Sequence, residues 1–362
     1  MNKKSTFSTL CRVLCSVLVL GSSASCTNFM DFQEAIGNIK KGPNSLFDGL
    51  SLKSLSSVSM RDVATVDDDG YLLAADGVTA YTQATSTTTG FVHKIKPFTM
   101  GTYEVTYELW YTVRSWALLN GYNFANPGRE GNDGTIGAAP TVAAKLEPVT
   151  TINWRDSMVW CNAYSQMAGK IPYYYTDASC TAVLKVVDDS TTITASTLGS
   201  QDAPYVKADA TGYRLPTEGE WQYAASCGGV YPYDYASGAD ANYNATTGGI
   251  DIDGNGAVRY SSDVAWSNEN SSSKTQPVGT RAANKFGLYD MSGNVFEWCW
   301  DWYGSNPAGE QTNYKGPATG SHRISRGGSW YYHTGYLQVG YRGGSYPYGG
   351  CNLIGFRITE DR

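Results

Sequence analysis

Across 362 residues, regular hydrophobic periodicity surfaces only in short stretches, while side chains that demand burial are abundant: 10 Trp and 27 Tyr stand beside 40 Gly, with only 17% charged residues. An aromatic load of this size has to be hidden in a packed body, so disorder is excluded as the state of the whole chain. Few long helices or strands are available to hide it. The chain therefore predicts a compact, loop-rich body held by aromatic clusters and loop packing, with bound ions where acidic loops occur. At 41% hydrophobic residues, there is apolar material for one large domain or two small ones.

A formal net charge of −6, with no run of Lys or Arg beyond the first dozen residues, offers no footprint for a phosphate backbone and excludes nucleic acid as partner. The histidines, His93, His322 and His333, are too few and scattered for a polyhistidine zinc site. Lys3, Lys4 and Arg12, the apolar run Val13 to Leu20, and then Gly21 to Cys26 have the three-part layout of an export signal over residues 1–25. That run is too short to span a bilayer. Ala24 and Ser25 before Cys26 resemble a bacterial lipobox, with Ser23 where leucine is usual. This implies lipidation at Cys26 and an exported protein anchored on the outer cell surface of a bacterium. The alternative is ordinary secretion with a free Cys26. The mature chain then keeps Cys161, Cys180, Cys227, Cys299 and Cys351, an odd number without a CxxC pair, which supports neither a disulfide-stapled miniprotein nor a zinc ribbon.

Residues 26–88 mix Ser, Thr, Asp and Gly with brief apolar patches and read as a largely irregular tether. Phe91 to Phe98 alternates apolar and polar residues like an edge strand ended by Pro97. Three helices follow. Thr106 caps the first, with Leu109, Trp110, Val113, Trp116 and Ala117 near helical spacing and Gly121 past its end. Asn153 caps the second, whose apolar stripe runs Met158, Cys161, Ala163, Tyr164, Met167 before Gly169. Thr217, with Glu220 three residues on, opens the third as a capping box. Cys161 and Cys227 lie on helix-like stretches and read as small buried hydrophobes.

Five segments in order then match one family: Tyr103-Glu-Val-Thr106, Tyr213-Arg-Leu-Pro-Thr-Glu-Gly-Glu-Trp221, Gly287-Leu-Tyr-Asp-Met-Ser-Gly-Asn-Val-Phe-Glu-Trp298, Arg326-Gly-Gly-Ser-Trp330 and Gly355-Phe-Arg357. They resemble the formylglycine-generating enzyme (sulfatase-modifying factor) domain, a branch of the C-type lectin fold. The resemblance implies an α+β fold of few helices, short strands and many loops over residues 89–362. The enzymes oxidise a substrate cysteine with copper held by two cysteines after the Arg-Gly-Gly-Ser segment. Aligned from Gly327, those places hold Tyr332 and Leu337, so no copper and no catalytic residue is expected. The alternative is a divergent copper-dependent oxidase of this family.

The C-terminal segment, about residues 330–354, also resembles the target region of variable proteins diversified by retroelements, among them a treponemal lipoprotein. No helical or strand period persists across it. Tyr331, Tyr332, Tyr336, Tyr341, Tyr346 and Tyr348 are interleaved with Gly335, Gly343, Gly344 and Gly349, and Arg342 is its one charge. Tyrosine with glycine and serine is a paratope composition, because Tyr supplies large rigid contact area at low entropic cost. The ligand-binding set is therefore these residues with His333, Ser345, Cys351 and Asn352, framed by Trp330, Arg342, Pro347 and Gly355, and the expected ligand is an unidentified protein or surface. A tyrosine-rich structural corner is the plainer reading. The family likeness further implies a structural calcium on Asp290, Gly293, Val295 and Glu297, against a turn closed by hydrogen bonds alone. Asn242 and Tyr243 match the start of a second family ion site. Asp251-Ile-Asp-Gly-Asn-Gly256 begins like an EF-hand loop, but Ser262 stands where a bidentate Glu belongs.

Overall fold

In the computed structural model, residues 66–85 and 88–362 are described. The export signal and Cys26 lie outside them. Helix α1 spans Tyr107–Leu119, and the Thr106 hydroxyl accepts from the Leu109 amide at 3.3 Å. Helix α2 spans Trp154–Met167 behind a reciprocal cap, with Asp156 N donating to Asn153 Oδ1 at 2.8 Å and Asn153 N to Asp156 Oδ2 at 3.1 Å. Helix α3, Glu218–Ser226, opens on the same device between Thr217 and Glu220 and closes at Cys227 in the left-handed conformation. All three begin where the capping residues predict, because each cap satisfies amides that the first turn leaves unpaired. A single turn, α4 (Ser261–Val264), carried no sequence signal.

The strands are short. Near the N-terminus lie β1 (Thr82–Thr85), β2 (Thr88–Lys94) and β3 (Phe98–Met100). Two-residue ladders join β4 (Arg129–Glu130) to β5 (Val149–Thr150) and β6 (Tyr174–Tyr175) to β7 (Tyr205–Val206). The C-terminal half supplies β8 (Phe296–Trp302), β9 (Gln311–Thr312), β10 (Arg323–Arg326), β11 (Gly343–Ser345), β12 (Ile354–Gly355) and β13 (Thr359–Asp361). The main sheet runs β11-β10-β8-β12, and β13 pairs antiparallel with β3, so the last residues close against the start of the fold.

Two expectations are corrected. The Phe91 segment is the middle strand of a β1-β2-β9 sheet, not an edge strand. Its alternation arises because His93 is buried: the Tyr314 amide donates to Nε2 at 2.9 Å, leaving Nδ1–H for Gln83 Oε1 at 2.8 Å. Burial holds this imidazole neutral, with its pKa down to about 4. The tether expected over 26–88 also ends too late. Leu72 and Tyr81 sit in the main core with Phe98, Met100 and Trp221, and the Tyr81 ring meets Tyr223 edge-on at 4.8 Å. The apolar patch around Leu72 is too short to show a period, so only its packing reveals it.

Helix α2 is buried from Trp154 to Ser165, because α1 covers one side and the main sheet another. Trp110 stacks on Trp160 at 6.0 Å, and Trp154 approaches Trp300 at 5.5 Å. A buried ion pair crosses this core. Glu297 on β8 is fully buried and takes Arg357 in bidentate fashion, both contacts 2.6 Å, while accepting Trp221 Nε1 at 2.7 Å. Arg357 also donates to the Gly101 and Tyr289 carbonyls, at 3.0 and 2.8 Å, joining the main sheet to the segment after β3. Removing one partner of such a pair strands the other charge in the core. Arg357→Met is expected to destabilise the fold by about 3–5 kcal/mol, read from the midpoint of urea unfolding. A loss under about 1 kcal/mol would mean that water reaches Glu297.

Candidate functional site

Past β10 the chain turns through Gly327 and Gly328, both with positive φ, and a Cβ on Gly328 would stand 2.7 Å from the Tyr336 carbonyl. Glycine is required there by conformation and by space. The loop that follows contains a 3₁₀ turn at Thr334–Tyr336 and the edge strand β11 before returning as β12. These short pieces are the regular structure within the segment. They carry no periodic pattern because the rest of the molecule imposes them.

The scaffold holds this loop chiefly by its main chain. Arg326 donates from Nη2 to the Val339 carbonyl at 3.0 Å and from Nη1 to that of Tyr341. Ser292 Oγ reaches the Leu337 carbonyl at 2.7 Å, Ser271 Oγ that of Trp330 at 2.9 Å, and the Asn268 amide that of Tyr332 at 3.1 Å. Val339 and Gly340 donate their amides to the Tyr235 and Tyr233 carbonyls, both at 2.8 Å. Few loop side chains point inward. Leu337 packs among Ala236, Ala239, Val264 and Ala265, Val339 joins the main core, and Trp330 Nε1 donates to the Asn352 carbonyl at 3.0 Å. Arg342 grips Glu218 through Nε at 2.6 Å and Nη2 at 2.7 Å, and its Nη1 reaches the Gly304 carbonyl at 2.6 Å.

None of the nominated ligand residues is fully buried. Tyr331 is 58% exposed and Tyr346 44%, and His333, Gly344 and Cys351 are also exposed. Tyr332, Gly335, Tyr336, Tyr341, Gly343, Ser345, Tyr348, Gly349 and Asn352 are half-buried. The structure gathers the rings into two groups. Tyr332, Tyr336 and Tyr341 touch in series at 4.5 and 4.8 Å beside Phe296, with Tyr331 edge-on to Tyr332. Tyr346 stacks on Tyr348 at 5.1 Å.

Two nominated glycines serve differently. A Cβ on Gly343 would meet Ser325 Oγ at 2.6 Å, and one on Gly344 would meet Tyr303 at 2.9 Å, so the scaffold approaches both closely and they offer main chain rather than side chain. Sequence reasoning missed Tyr303 and His322. Tyr303 is 47% exposed beneath the Arg342 guanidinium, and the His322 ring lies 4.1 Å from that of Tyr346. No local signal marks them: they reach the face because the Tyr303 amide bonds the His322 carbonyl beside the β8–β10 pair.

Of the two residues that the family resemblance sets against the enzymes' cysteines, Tyr332 is a half-buried aromatic ring and Leu337 a buried aliphatic side chain. Cys351 is exposed, whereas Cys161, Cys227 and Cys299 are buried with their thiols pushed up by desolvation. Beneath the loop, the Glu218 amide donates to Asp301 Oδ2 at 2.7 Å. Burial, then the neighbouring Glu218 charge, pushes the Asp301 carboxyl up to about 8, with Glu220 adding to the rise and Arg323 opposing it.

In the expected calcium loop, Asp290 Oδ2 accepts the Gly279 amide at 2.7 Å, while Oδ1 is buried with no hydrogen-bond partner. An orphaned buried carboxylate oxygen suits a cation. Glu297 does not fit as expected, because Arg357 and Trp221 already occupy its oxygens. Elsewhere Asp251 and Asp253 come together with Asp240, which sequence reasoning did not connect to them. Their oxygens are occupied by loop amides and by Arg259, and the Asn242 side chain bonds Asp234.

The chain belongs to the family of the sulfatase-modifying factor enzyme 1-like domain, whose model matches residues 60–362. Within that class it is similar to Treponema denticola variable protein 1, at 27% identity and a TM-score of 0.61, covering 80% of this chain and 93% of that one. The "Chaperone protein LppX" of Paenibacillus barcinonensis is 31% identical over 81% of this chain and 89% of its own length. The formylglycine-generating enzyme of Streptomyces coelicolor is 34% identical over 42% of this chain, and the match spans half of that enzyme. The resemblances to variable proteins and to the formylglycine-generating enzyme domain therefore both hold.

The buried acid beneath the loop gives a measurable signature. Unfolded, Asp301 releases its proton near the ordinary carboxylate value; folded, it holds it until about pH 8. The folded state thus binds more protons between these limits, and stability falls as pH rises through them. Asp301→Asn is expected to remove up to about 1.4 kcal/mol per pH unit of that slope between pH 5 and 8, measured by urea unfolding at each pH. An unchanged slope would place a water beside the acid.

Proposed function

We propose that this chain is a surface-displayed, lipid-anchored binding protein whose face from Tyr331 to Asn352 takes a protein ligand, without catalysing a reaction. On this reading the loop is diversified by a retroelement. The observation that carries it is the division of labour in the loop. Arg326, Ser292, Ser271 and Asn268 hold carbonyls, which every residue possesses, while the tyrosine side chains stay exposed or half-buried. Such a loop tolerates exchange of its outer side chains without losing its path. Grouped, partly exposed tyrosines with few charges favour a broad protein surface over a small molecule. The name of the Paenibacillus relative, a chaperone, is in keeping with a protein as ligand. Carbohydrate binding does not follow from a lectin-like fold.

The alternative, a divergent copper oxidase, meets a chemical obstacle. Tyr332 and Leu337 offer no thiolate, and Cys351 has no second cysteine near it in sequence to complete a two-thiolate copper site. Stoichiometric copper binding by the purified chain would revive it.

We also propose a structural calcium at Asp290 Oδ1 with the main-chain carbonyls of Gly293 and Val295, Glu297 contributing only what its pair with Arg357 leaves. The purified chain is expected to melt several degrees lower with a chelator than with millimolar calcium. An unchanged transition argues against the ion.

The face itself is tested with Tyr331→Ala and Tyr346→Ala together, the two most exposed of the six loop tyrosines. Proteins captured from the cell's surroundings by the wild-type chain are expected to bind this variant at least about tenfold more weakly. Stability should change by no more than about 1 kcal/mol, since both sites are exposed. A collapsed fold would make the tyrosines a structural corner, and retained binding with the fold intact would remove these rings from the ligand face.

A further inference from the structure

Strand β11 is the outermost strand of the main sheet. Its inner side pairs with β10, Gly344 opposite Ile324 and Gly343 opposite Ser325. An antiparallel ladder uses alternate residues, so some amides and carbonyls of a strand this short must face outward. Among the described residues, no further main-chain hydrogen bond reaches Gly343, Gly344 or Ser345. Sheet edges are usually blunted by lysine, proline or a bulge. This one is Gly-Gly-Ser, Gly344 is exposed, and the preceding Arg342 is turned away onto Glu218. Tyr303 covers Gly344, and Tyr346 follows the strand directly, beside His322.

We infer that β11 accepts an extended segment of the protein ligand as a fifth strand, its backbone bonded to the outer edge of Gly343–Ser345 and its side chains graded by Tyr303, His322 and Tyr346. This rests on the ligand face proposed above and adds the mode of recognition. Main-chain bonding supplies an affinity that does not depend on ligand sequence, and the flanking rings supply selection. The close approach at Gly343 and Gly344 keeps bulk off the strand whatever the neighbouring positions become.

The probe is a linear dodecapeptide library displayed on phage, panned on the full chain, with enriched peptides resynthesised and N-methylated one amide at a time. Methylation at alternate amides is expected to weaken binding about tenfold or more, and at the amides between them less than about threefold. The Gly343, Gly344 and Ser345 amide resonances are expected to shift on titration. Peptides that tolerate every N-methylation but lose binding to the Tyr331→Ala, Tyr346→Ala variant would overturn strand addition and leave the ligand face standing. Peptides indifferent to both changes would overturn the face as well. Absence of enrichment, or β11 shifts that grow with protein concentration alone and mark pairing between copies, would also overturn the inference.

Discussion

Glu218 is the point on which the loop hangs. It sits buried at the first position of α3, and two arginines on either side of the loop's first half converge on it: Arg342 in a close two-point grip and Arg326 at 3.5 Å. Arg326 then spends its remaining donors on the Val339 and Tyr341 carbonyls and on Gln222. A single carboxylate, fixed by the helix that Thr217 caps, thus sets the path of a segment more than a hundred residues further along the chain. Because two cations share one anion, and Asp301 accepts the Glu218 amide from below, the loop is held by charges shielded from salt and solvent. An exposed pair would hold it weakly.

What the sequence reveals depends on how local the cause is. Helices α1, α2 and α3 were legible to the residue at their starts, since an N-cap acts within its own first turn. The tyrosine-rich face was legible from composition, and its separation from the interior agrees with the burial of Leu337 and Val339. The rim was not: Tyr303 and His322 belong to it through a hydrogen bond between two segments, which no spacing encodes. The same applies to Glu297. The family resemblance implies a calcium ligand at this position, and only the fold shows Arg357 reaching it from the far end of the chain. The early core residues Leu72 and Tyr81 were taken for tether because a few apolar residues have no period to display.

At the two places where the family resemblance implies copper-binding cysteines, this chain holds Tyr332 and Leu337. Leu337 is an apolar anchor among Ala236, Ala239, Val264 and Ala265. Tyr332 turns the other position into part of an aromatic cluster.

The pairing of β13 with β3, Thr359 opposite Met100, together with Arg357 on Glu297, gives the last residues of the chain a role as a seal. Any product truncated within the loop lacks both, leaving a carboxylate stranded in the core and β3 without its partner. Such a chain cannot reach the native state, however well its remaining residues pack. The molecule therefore carries its own check: a chain that ends early within the loop is left unfolded and open to proteolysis, and only one that reaches β13 can close the fold.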